Sequence, residues 1–449
     1  MRVAENRKAD LLSPGNFVRI FTKSGMVLEG LILQRYEIFD PDYITLKLDN
    51  GYNIGIRIEN ISRIEELHGA ERRHTVEFVP ESFQAEVKKG KRIHILATGG
   101  TIASKIDYLT GGVTPILKTE ELLEVIPELR SIADFSSEVL MSIFSENMNP
   151  ARWENISKRV YELLREEPDR SILITHGTDT LGYTAAALSF SIGSPSSPIV
   201  LLGSQRSSDR PSSDSAFNLI AASLYAKEGP CEVAVVMHGE SGDSYALAHR
   251  GTRVRKMHSS RRDAFQSISS IPIAKIEPRS GKITFLRDDV RKCDSVDKGK
   301  MNEEPKLKFS DKIFLLKFFP GMPGDVIDFL VEKGFKGIVI EGTGLGHVSE
   351  NVIESIRNAV ERGTIVTMTT QCLFGSVNLN VYSTGRLLQK AGVIGLGNML
   401  PETAYVKLSW ALGNFGEEEA RNIMLRNIAG EYEERELMSF YPRWYHGEV

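Results

Sequence analysis

A chain of 449 residues with 41% hydrophobic and 25% charged side chains is long enough for two or three separate cores and has the balance of an ordinary globular protein. Its formal net charge of −4 excludes a protein that holds nucleic acid through its overall field, though not a local basic patch. No apolar run is long enough to cross a bilayer, and the opening MRVAENRKADLLSPG is charged without an apolar centre, so no membrane contact and no secretory leader are expected. Cys231, Cys293 and Cys372 are far apart and show no metal-ligand spacing. The expectation is reduced thiols in a cytoplasmic protein.

Three rhythms follow one another along the chain. Residues 1–66 hold short alternating stretches, FVRIFTKSGMVLEGLILQRY and YITLKLDNGYNIGIRIENISRIEEL, divided by the turn sequences Lys23-Ser24-Gly25 and Asp49-Asn50-Gly51. So many short strands in so few residues predict a small SH3-like or Sm-like β-barrel. Its charges are mixed, with no basic stripe or aromatic stacking platform for RNA. Residues 67–92 are polar, charged and weakly periodic, and read as a linker. From residue 93 the pattern becomes strand, glycine-bearing loop, helix. The apolar runs IHILA, SILIT, PIVLLG and EVAVVMHG alternate with helix-like TEELLEVI and LGYTAAALSFSI, which defines a first α/β lobe over 93–293. A polar linker over 294–310 leads to a second lobe over 311–449, with runs KIFLLKFF, GIVIEG and TIVTMTT and the helix-like VSENVIESIRNAVERG. Such alternation predicts parallel sheets.

In open α/β sheets, sites form where strands end and loops lead into helices. Three stretches have the chemistry for one. Thr98-Gly99-Gly100-Thr101 follows IHILA; the glycines permit a tight turn that exposes main-chain N–H groups, and a threonine hydroxyl there can be a nucleophile if its proton is accepted. The spaced Gly-Lys-Ser/Thr of a phosphate loop is missing. His176-Gly177-Thr178-Asp179-Thr180 follows SILIT. One of its last three residues is expected to cap the following helix, which leaves others for chemistry. RGTRVRKMHSSRRDAF, residues 250–265, is for the most part a solvated basic loop, yet a lysine in a cleft lined by hydroxyls and a carboxylate can accept a proton.

ATGGTIAS with THGTDTLGYTA resembles the two signature motifs of the L-asparaginase family, which hydrolyses side-chain amides. LLGSQRSSDRPSSDSAFNL and RGTRVRKMHSSRRDAF resemble two further family segments, and the likeness runs from about residue 93 to about 430. The resemblance implies a two-lobed α/β body, no cofactor in this chain, a homodimeric core, and these roles. Thr101 matches the nucleophile that forms an acyl-enzyme and expels ammonia. Thr178, Asp179 and Lys256 match the second family triad, with Gly100 and Thr178 beside the oxyanion. Tyr108, in a loop like the family's mobile lid, matches a tyrosine beside the nucleophile. Ser145 and Glu146 match the grip on the substrate's α-carboxylate and α-ammonium. Two departures fall on α-amino recognition: His347 stands where the family often has asparagine, and QCLFGSVNLNVYSTGR lacks the acidic residue often supplied by a neighbouring subunit, although Asn378 and Asn380 are there.

A barrel ahead of such a body resembles one branch of the family, the D subunits of archaeal glutamyl-tRNA(Gln) amidotransferases. That likeness implies glutamine or asparagine as ammonia donor and an E subunit as partner. The partner would use ATP and Mg²⁺, carry most of the tRNA(Gln) contact, and convert Glu-tRNA(Gln) to Gln-tRNA(Gln). Two other readings stay open at this point: a stand-alone cytoplasmic L-asparaginase, and a catalytically silent amino-acid-binding protein.

Overall fold

The computed structural model describes residues 12, 16–32, 42–48, 53–67, 91–100, 104–106, 113–115, 119, 122–123, 126–206, 213–295 and 304–436. Strands β1 (Phe17–Thr22), β2 (Val27–Ile32), β3 (Tyr43–Leu48), β4 (Asn53–Arg57) and β5 (Ile61–Glu66) form one antiparallel sheet in the order β4-β3-β2-β1-β5. Every second residue of β1 is buried, as a strand with one dry face requires. Val18 and Ile20 join Ile32, Ile44, Leu46, Ile56 and Ile61 in a small core. Gly25 makes the first expected turn with φ +86°, a conformation that suits glycine. The second, at residues 49–51, lies outside the described residues, as do most of the first expected linker and residues 296–303 of the second.

In the next region β6 (Arg92–Gly99) is followed by the hairpin β7 (Ser104–Ile106) and β8 (Val113–Pro115), then β9 (Asp134–Ile143) and helix α1 (Pro150–Glu166). Two strand–helix units follow, β10 (Ser171–Thr175) with α2 (Leu181–Ser191) and β11 (Ile199–Leu202) with α3 (Ser215–Glu228), leading to β12 (Val233–His238). The lobe closes with β13 (Ala246–Arg250), the hairpin β14 (Val254–Lys256) and β15 (Phe265–Ser267), β16 (Ala274–Glu277) and β17 (Lys282–Phe285). Eight of these strands form a sheet ordered β17-β16-β13-β12-β11-β10-β6-β9. From β9 to β12 the neighbours are parallel, as expected. The strands beyond β12 are antiparallel, because the connection from β12 to β13 is a short turn, closed by Gly239 N–H on Tyr245 O at 3.0 Å, and a parallel return needs a longer crossover.

The central strands read as apolar runs rather than alternations because helices cover both faces. Ile93, Ile95, Leu173, Val200 and Leu202 pack on one side with Leu219, Ala222 and Tyr225 of α3. Leu96, Ile172, Ile174, Ile199 and Leu201 pack on the other with Ile156 and Val160 of α1 and Leu181 and Leu188 of α2.

The second lobe is a parallel sheet of β18 (Ile313–Lys317), β19 (Gly337–Gly342), β20 (Ile365–Thr370) and β21 (Ile394–Gly395), in that order. Helices α4 (Asp325–Glu332), α5 (Ile353–Glu361) and α6 (Ser383–Lys390) connect the strands, and α7 (Pro401–Asn414) and α8 (Glu417–Met424) follow. Trp153, Ala186, Ala187 and Phe190 of the first lobe share one core with Phe309, just ahead of the second lobe, and with Val339, Leu408 and Trp410 of that lobe. This explains why α2 is apolar on every side.

One expectation is corrected. Cys231 and Cys293 form a disulfide, with Cα atoms 4.9 Å apart across 62 residues of sequence; Cys372 is free and exposed. Sequence spacing hid the pair because the chain returns to the start of β12, where Cys231 N–H donates to Arg291 O at 2.9 Å. The thiols therefore no longer argue for a reducing compartment. No helix among the described residues is long and apolar enough to cross a membrane.

Candidate active site

The parallel strand order β12-β11-β10-β6-β9 reverses direction at β6: the chain goes first to β9 on one side, then to β10 on the other. Such a switch leaves a crevice at the carboxyl ends of the two diverging strands, here β6 and β10. Both polar signature motifs are at these ends.

At the end of β6, Thr98 is buried and its Oγ1 donates to Thr175 O at 2.9 Å, so the first threonine of the motif ties β6 to β10. Gly99 and Gly100 have φ of +132° and +82°. A Cβ on Gly99 would lie 2.1 Å from Ile143 O, and one on Gly100 would lie 2.8 Å from His176 O. The glycine pair is thus required twice, by backbone conformation and by the closeness of β9 and of the β10 loop. Thr101 and Tyr108 lie outside the described residues.

The β10 loop passes through a 3₁₀ turn, Thr178–Thr180, into α2. Lys256, the last residue of β14, donates from Nζ to Thr178 Oγ1 at 2.9 Å and to Asp179 Oδ1 at 2.8 Å. The lysine side chain is only 14% exposed, the aspartate 66%, so one hydroxyl and one carboxylate meet a mostly buried ammonium at the rim of the crevice. The expected helix cap is not made: α2 has no side-chain cap, and Thr180 Oγ1 instead donates to Ser145 O at 2.6 Å. The 3₁₀ turn directs that hydroxyl towards the segment after β9. Ser145 is buried and Glu146 exposed; a Cβ on Gly177 would lie 2.8 Å from Ser145 Cβ. The structure therefore brings Gly100, Ser145, Thr178, Asp179 and Lys256 around the ends of β6, β9 and β10.

His176 has no free edge for chemistry. Trp153 Nε1 donates to Thr184 Oγ1 at 3.2 Å, and that hydroxyl is 2.9 Å from His176 Nε2. His176 Nδ1 lies 2.7 Å from Gly177 O and must donate to it, which fixes a neutral ring accepting from Thr184. Burial pushes its pKa down to about 4, since charging the ring would desolvate a cation, and the Gly177 carbonyl offsets that cost only in part.

Residues 201–219 contribute a support that their sequence alone did not reveal. Asp214, fully buried, accepts from Gln205 N–H at 3.0 Å, Arg206 N–H at 2.9 Å and Asn218 Nδ2 at 3.0 Å. It thereby holds the loop after β11, whose Gly203 leaves only enough room for Thr178: a Cβ there would lie 2.7 Å from Thr178 Cγ2. The readable signal was an aspartate four residues before an asparagine at a helix start. His347 follows the end of β19 in the other lobe, where its Nδ1 shares a hydrogen bond with Thr384 Oγ1 at 3.1 Å and its ring meets Tyr382 edge-on. Asn378 N–H donates to Leu345 O, and Asn380 N–H to Asn378 Oδ1.

Among known proteins, the family model "Asparaginase, N-terminal" matches residues 92–291, "Glutaminase/Asparaginase C-terminal domain" matches 312–424, and "GatD N-terminal domain" matches 12–67. The chain is 52% identical over 438 residues to the glutamyl-tRNA(Gln) amidotransferase D subunit of Pyrococcus abyssi, covering 96% of this chain and 97% of that one. It is 48% identical over 437 residues to the protein of the same description from Metallosphaera sedula, covering 96% and 95%. Among solved structures it is similar to the thermostable L-asparaginase from Thermococcus kodakarensis, with TM-score 0.67 and 33% identity over 77% of this chain and 100% of that chain. The probable cytoplasmic L-asparaginase from Campylobacter jejuni gives TM-score 0.62 and 29% identity over 75% and 100%.

Proposed function

Because the chain belongs to the asparaginase family and, by relatives that match it almost end to end, to the D-subunit branch of the glutamyl-tRNA(Gln) amidotransferases, we infer that it hydrolyses a side-chain amide and delivers the ammonia to a partner protein. The observation that carries the chemistry is the reach of one lysine Nζ to both Thr178 Oγ1 and Asp179 Oδ1 beside the glycine turn at the end of β6. Thr101, directly after that turn in sequence, is the proposed nucleophile. Its oxygen attacks the carboxamide carbon, the tetrahedral adduct expels ammonia, and water then releases the acyl group from the threonine. Lys256 takes and returns the proton through the Thr178 hydroxyl, and Asp179 compensates the lysine's charge as the proton moves. Ser145 and Glu146 hold the amino-acid end of the substrate, and Tyr108 closes over it.

The remaining parts of the proposal follow from the branch. The donor is glutamine or asparagine. The partner is the E subunit of the amidotransferase; it holds ATP and Mg²⁺, binds most of tRNA(Gln), and completes Gln-tRNA(Gln). A neutral ammonia molecule is kept from protonation by direct transfer, which favours turnover that depends on assembly. A homodimeric core, a cytoplasmic location with the charged tRNA, and division into 1–66, 93–293 and 311–449 with linkers between complete it. A stand-alone asparaginase leaves the region of residues 12–67, matched by its own family model, without a task.

The test is ammonia release from glutamine and from asparagine by the purified chain, alone and with a kinase-type partner protein, Glu-tRNA(Gln), ATP and Mg²⁺. Strong stimulation by the full mixture is expected. Equal turnover in both conditions would identify a stand-alone asparaginase.

A further inference from the structure

Lys256 is carried by a strand that the main sheet does not hold. Among the described residues β14 pairs only with β15, in a two-stranded sheet of its own, and a lone hairpin is marginally stable without outside support. Part of the support is apolar, with Val254 and Phe265 buried in the first lobe's core, and the largest polar part comes from one side chain. Arg253, three residues before Lys256, is fully buried. Its Nη1 donates to Asn398 O at 2.7 Å and Glu431 O at 3.0 Å, and its Nη2 donates to Ile268 O at 2.7 Å and Ser269 O at 3.0 Å. These carbonyls belong to three separate pieces of chain: the continuation of β15, the loop before α7 in the second lobe, and the segment after α8. Arg253 O in turn accepts from Ile268 N–H at 2.9 Å, which extends the register in which Lys256 faces Phe265.

The segment after α8 is itself anchored. Glu431 is fully buried, pairs with buried Lys407 at 2.6 Å, and accepts from Ile428 N–H at 2.9 Å. Flanking contacts point the same way: Thr252 Oγ1 donates to Ala429 O at 2.9 Å, Thr403 Oγ1 donates to Thr252 O at 2.9 Å, and Arg255 pairs with Glu402 at 3.2 Å. Every polar side chain from 252 to 255 thus grips the second lobe or the tail, and the next residue reaches back to the first lobe. A buried guanidinium is costly where an apolar side chain would fill the same space. Its return is a rigid plane of donors that fixes several segments relative to one another.

We propose that Arg253 is a positioning residue for Lys256: by tying β14 to the loop before α7 and to the tail, it sets the strand at the height where one Nζ meets Thr178 Oγ1 and Asp179 Oδ1 together. The proposal rests on the catalytic reading of Lys256 given above. It implies that the second lobe and the tail, which supply none of the partners of Lys256 Nζ among the described residues, govern turnover through this residue.

The experiment compares Arg253→Ala, Arg253→Lys and Lys256→Ala in the full chain, in whichever assembly gives the wild-type protein its highest rate of ammonia release from glutamine. Folding is checked by circular dichroism at the assay temperature. In Arg253→Ala, kcat should fall about 100-fold with KM changed less than about threefold, as expected when a reacting group is misplaced by about an ångström and substrate contacts persist. Added guanidinium ion at about 10 mM, far below denaturing concentrations, should restore kcat at least tenfold in Arg253→Ala and not in Lys256→Ala. Arg253→Lys, with fewer donors in a different geometry, should be intermediate. If Arg253→Ala does not fold, Arg253→Lys carries the test: a folded variant with lowered kcat and unchanged KM supports positioning. A folded Arg253 variant with wild-type kcat overturns it, as does a loss confined to KM. An active Lys256→Ala variant would instead remove the premise, and is recognised independently of the Arg253 results.

Discussion

Replacing Gly100 by alanine tests whether the end of β6 is held against the β10 loop as closely as the geometry requires. Two costs can be separated. The first is backbone: φ is +82°, which costs a residue with a Cβ about 1–2 kcal/mol. The second is steric: the new Cβ would lie 2.8 Å from His176 C and O and 3.0 Å from Gly177 N. Real Cβ contacts start near 3.0 Å and relax beyond 3.4 Å, so the His176–Gly177 main chain must give by a few tenths of an ångström. Gly281 supplies the control, with φ +69° and nothing within 4 Å of its would-be Cβ; Gly281→Ala should cost the backbone term alone, about 1–2 kcal/mol. Gly100→Ala should cost about 1 kcal/mol more in denaturant unfolding, within the range seen for overpacking. It should also lower kcat for ammonia release by about tenfold or more, since shifting Thr178 misaligns the hydroxyl that Lys256 reaches. Gly99→Ala should be worst, because its Cβ must move from 2.1 Å to at least 3.0 Å from the Ile143 main chain. If Gly100→Ala matches Gly281→Ala in stability and the wild type in turnover, the close approach of β6 to the β10 loop does not govern the site.

Other expectations can be checked in parallel. Lys256→Ala and Thr178→Val, each in a folded protein, should reduce ammonia release by about 10²–10⁴-fold, the usual contribution of a proton-transfer group; steady-state rates decide. Replacing both Cys231 and Cys293 by serine opens a loop of 62 residues and should lower unfolding stability by up to about 4 kcal/mol if chain entropy dominates, while kcat stays unchanged. His176 has a folded-state pKa lowered by burial from 6.5 to about 4. Its stabilising effect is therefore complete above pH 6.5 and is lost as pH falls through the window from 6.5 to about 4. Relative to His176→Asn, which does not titrate, the wild type should lose about 3 kcal/mol of its advantage across that window, measured by denaturant unfolding at pH 7 and pH 4.

The lobes were legible in the sequence where both faces of a strand are buried, because SILIT and EVAVVMHG carry uninterrupted apolar runs that few other environments tolerate. β9 was harder to see: DFSSEVLMSI is an edge strand, partly exposed along its length, and its mixed residues match neither period cleanly. The antiparallel end of the first sheet was unreadable for a different reason. Direction there depends on connection length, and Ser241-Gly242-Asp243-Ser244 resembles any polar loop. The disulfide is a long-range pairing that spacing cannot predict. In the site, the motif resemblance grouped Thr178, Asp179 and Lys256, and the fold supplies the contacts that join 178 and 179 to 256. The restraint imposed by Arg253 was hidden entirely, because an arginine in a basic stretch is ordinarily solvated, and four main-chain carbonyls as partners leave no complementary residue type in the sequence.

Close packing of the loops also explains why glycines cluster around this site. Gly99, Gly100, Gly177 and Gly203 each leave room for a specific neighbour: Ile143, His176, Ser145 and Thr178. Those neighbours lie at or just after the ends of β9 and β10, so the glycines allow adjacent parallel strands to converge more closely at their carboxyl ends than side chains would permit. Convergence brings hydroxyls from different loops within reach of one another. Lys256 arrives from a separate hairpin, whose approach to α2 again uses a glycine: a Cβ on Gly182 would lie 3.1 Å from Val254 O. On its far side the same hairpin is held where Arg253, the loop before α7 and the tail meet. If Arg253 positions Lys256 as proposed, the candidate site is coupled to the second lobe without requiring that lobe to supply a reacting group.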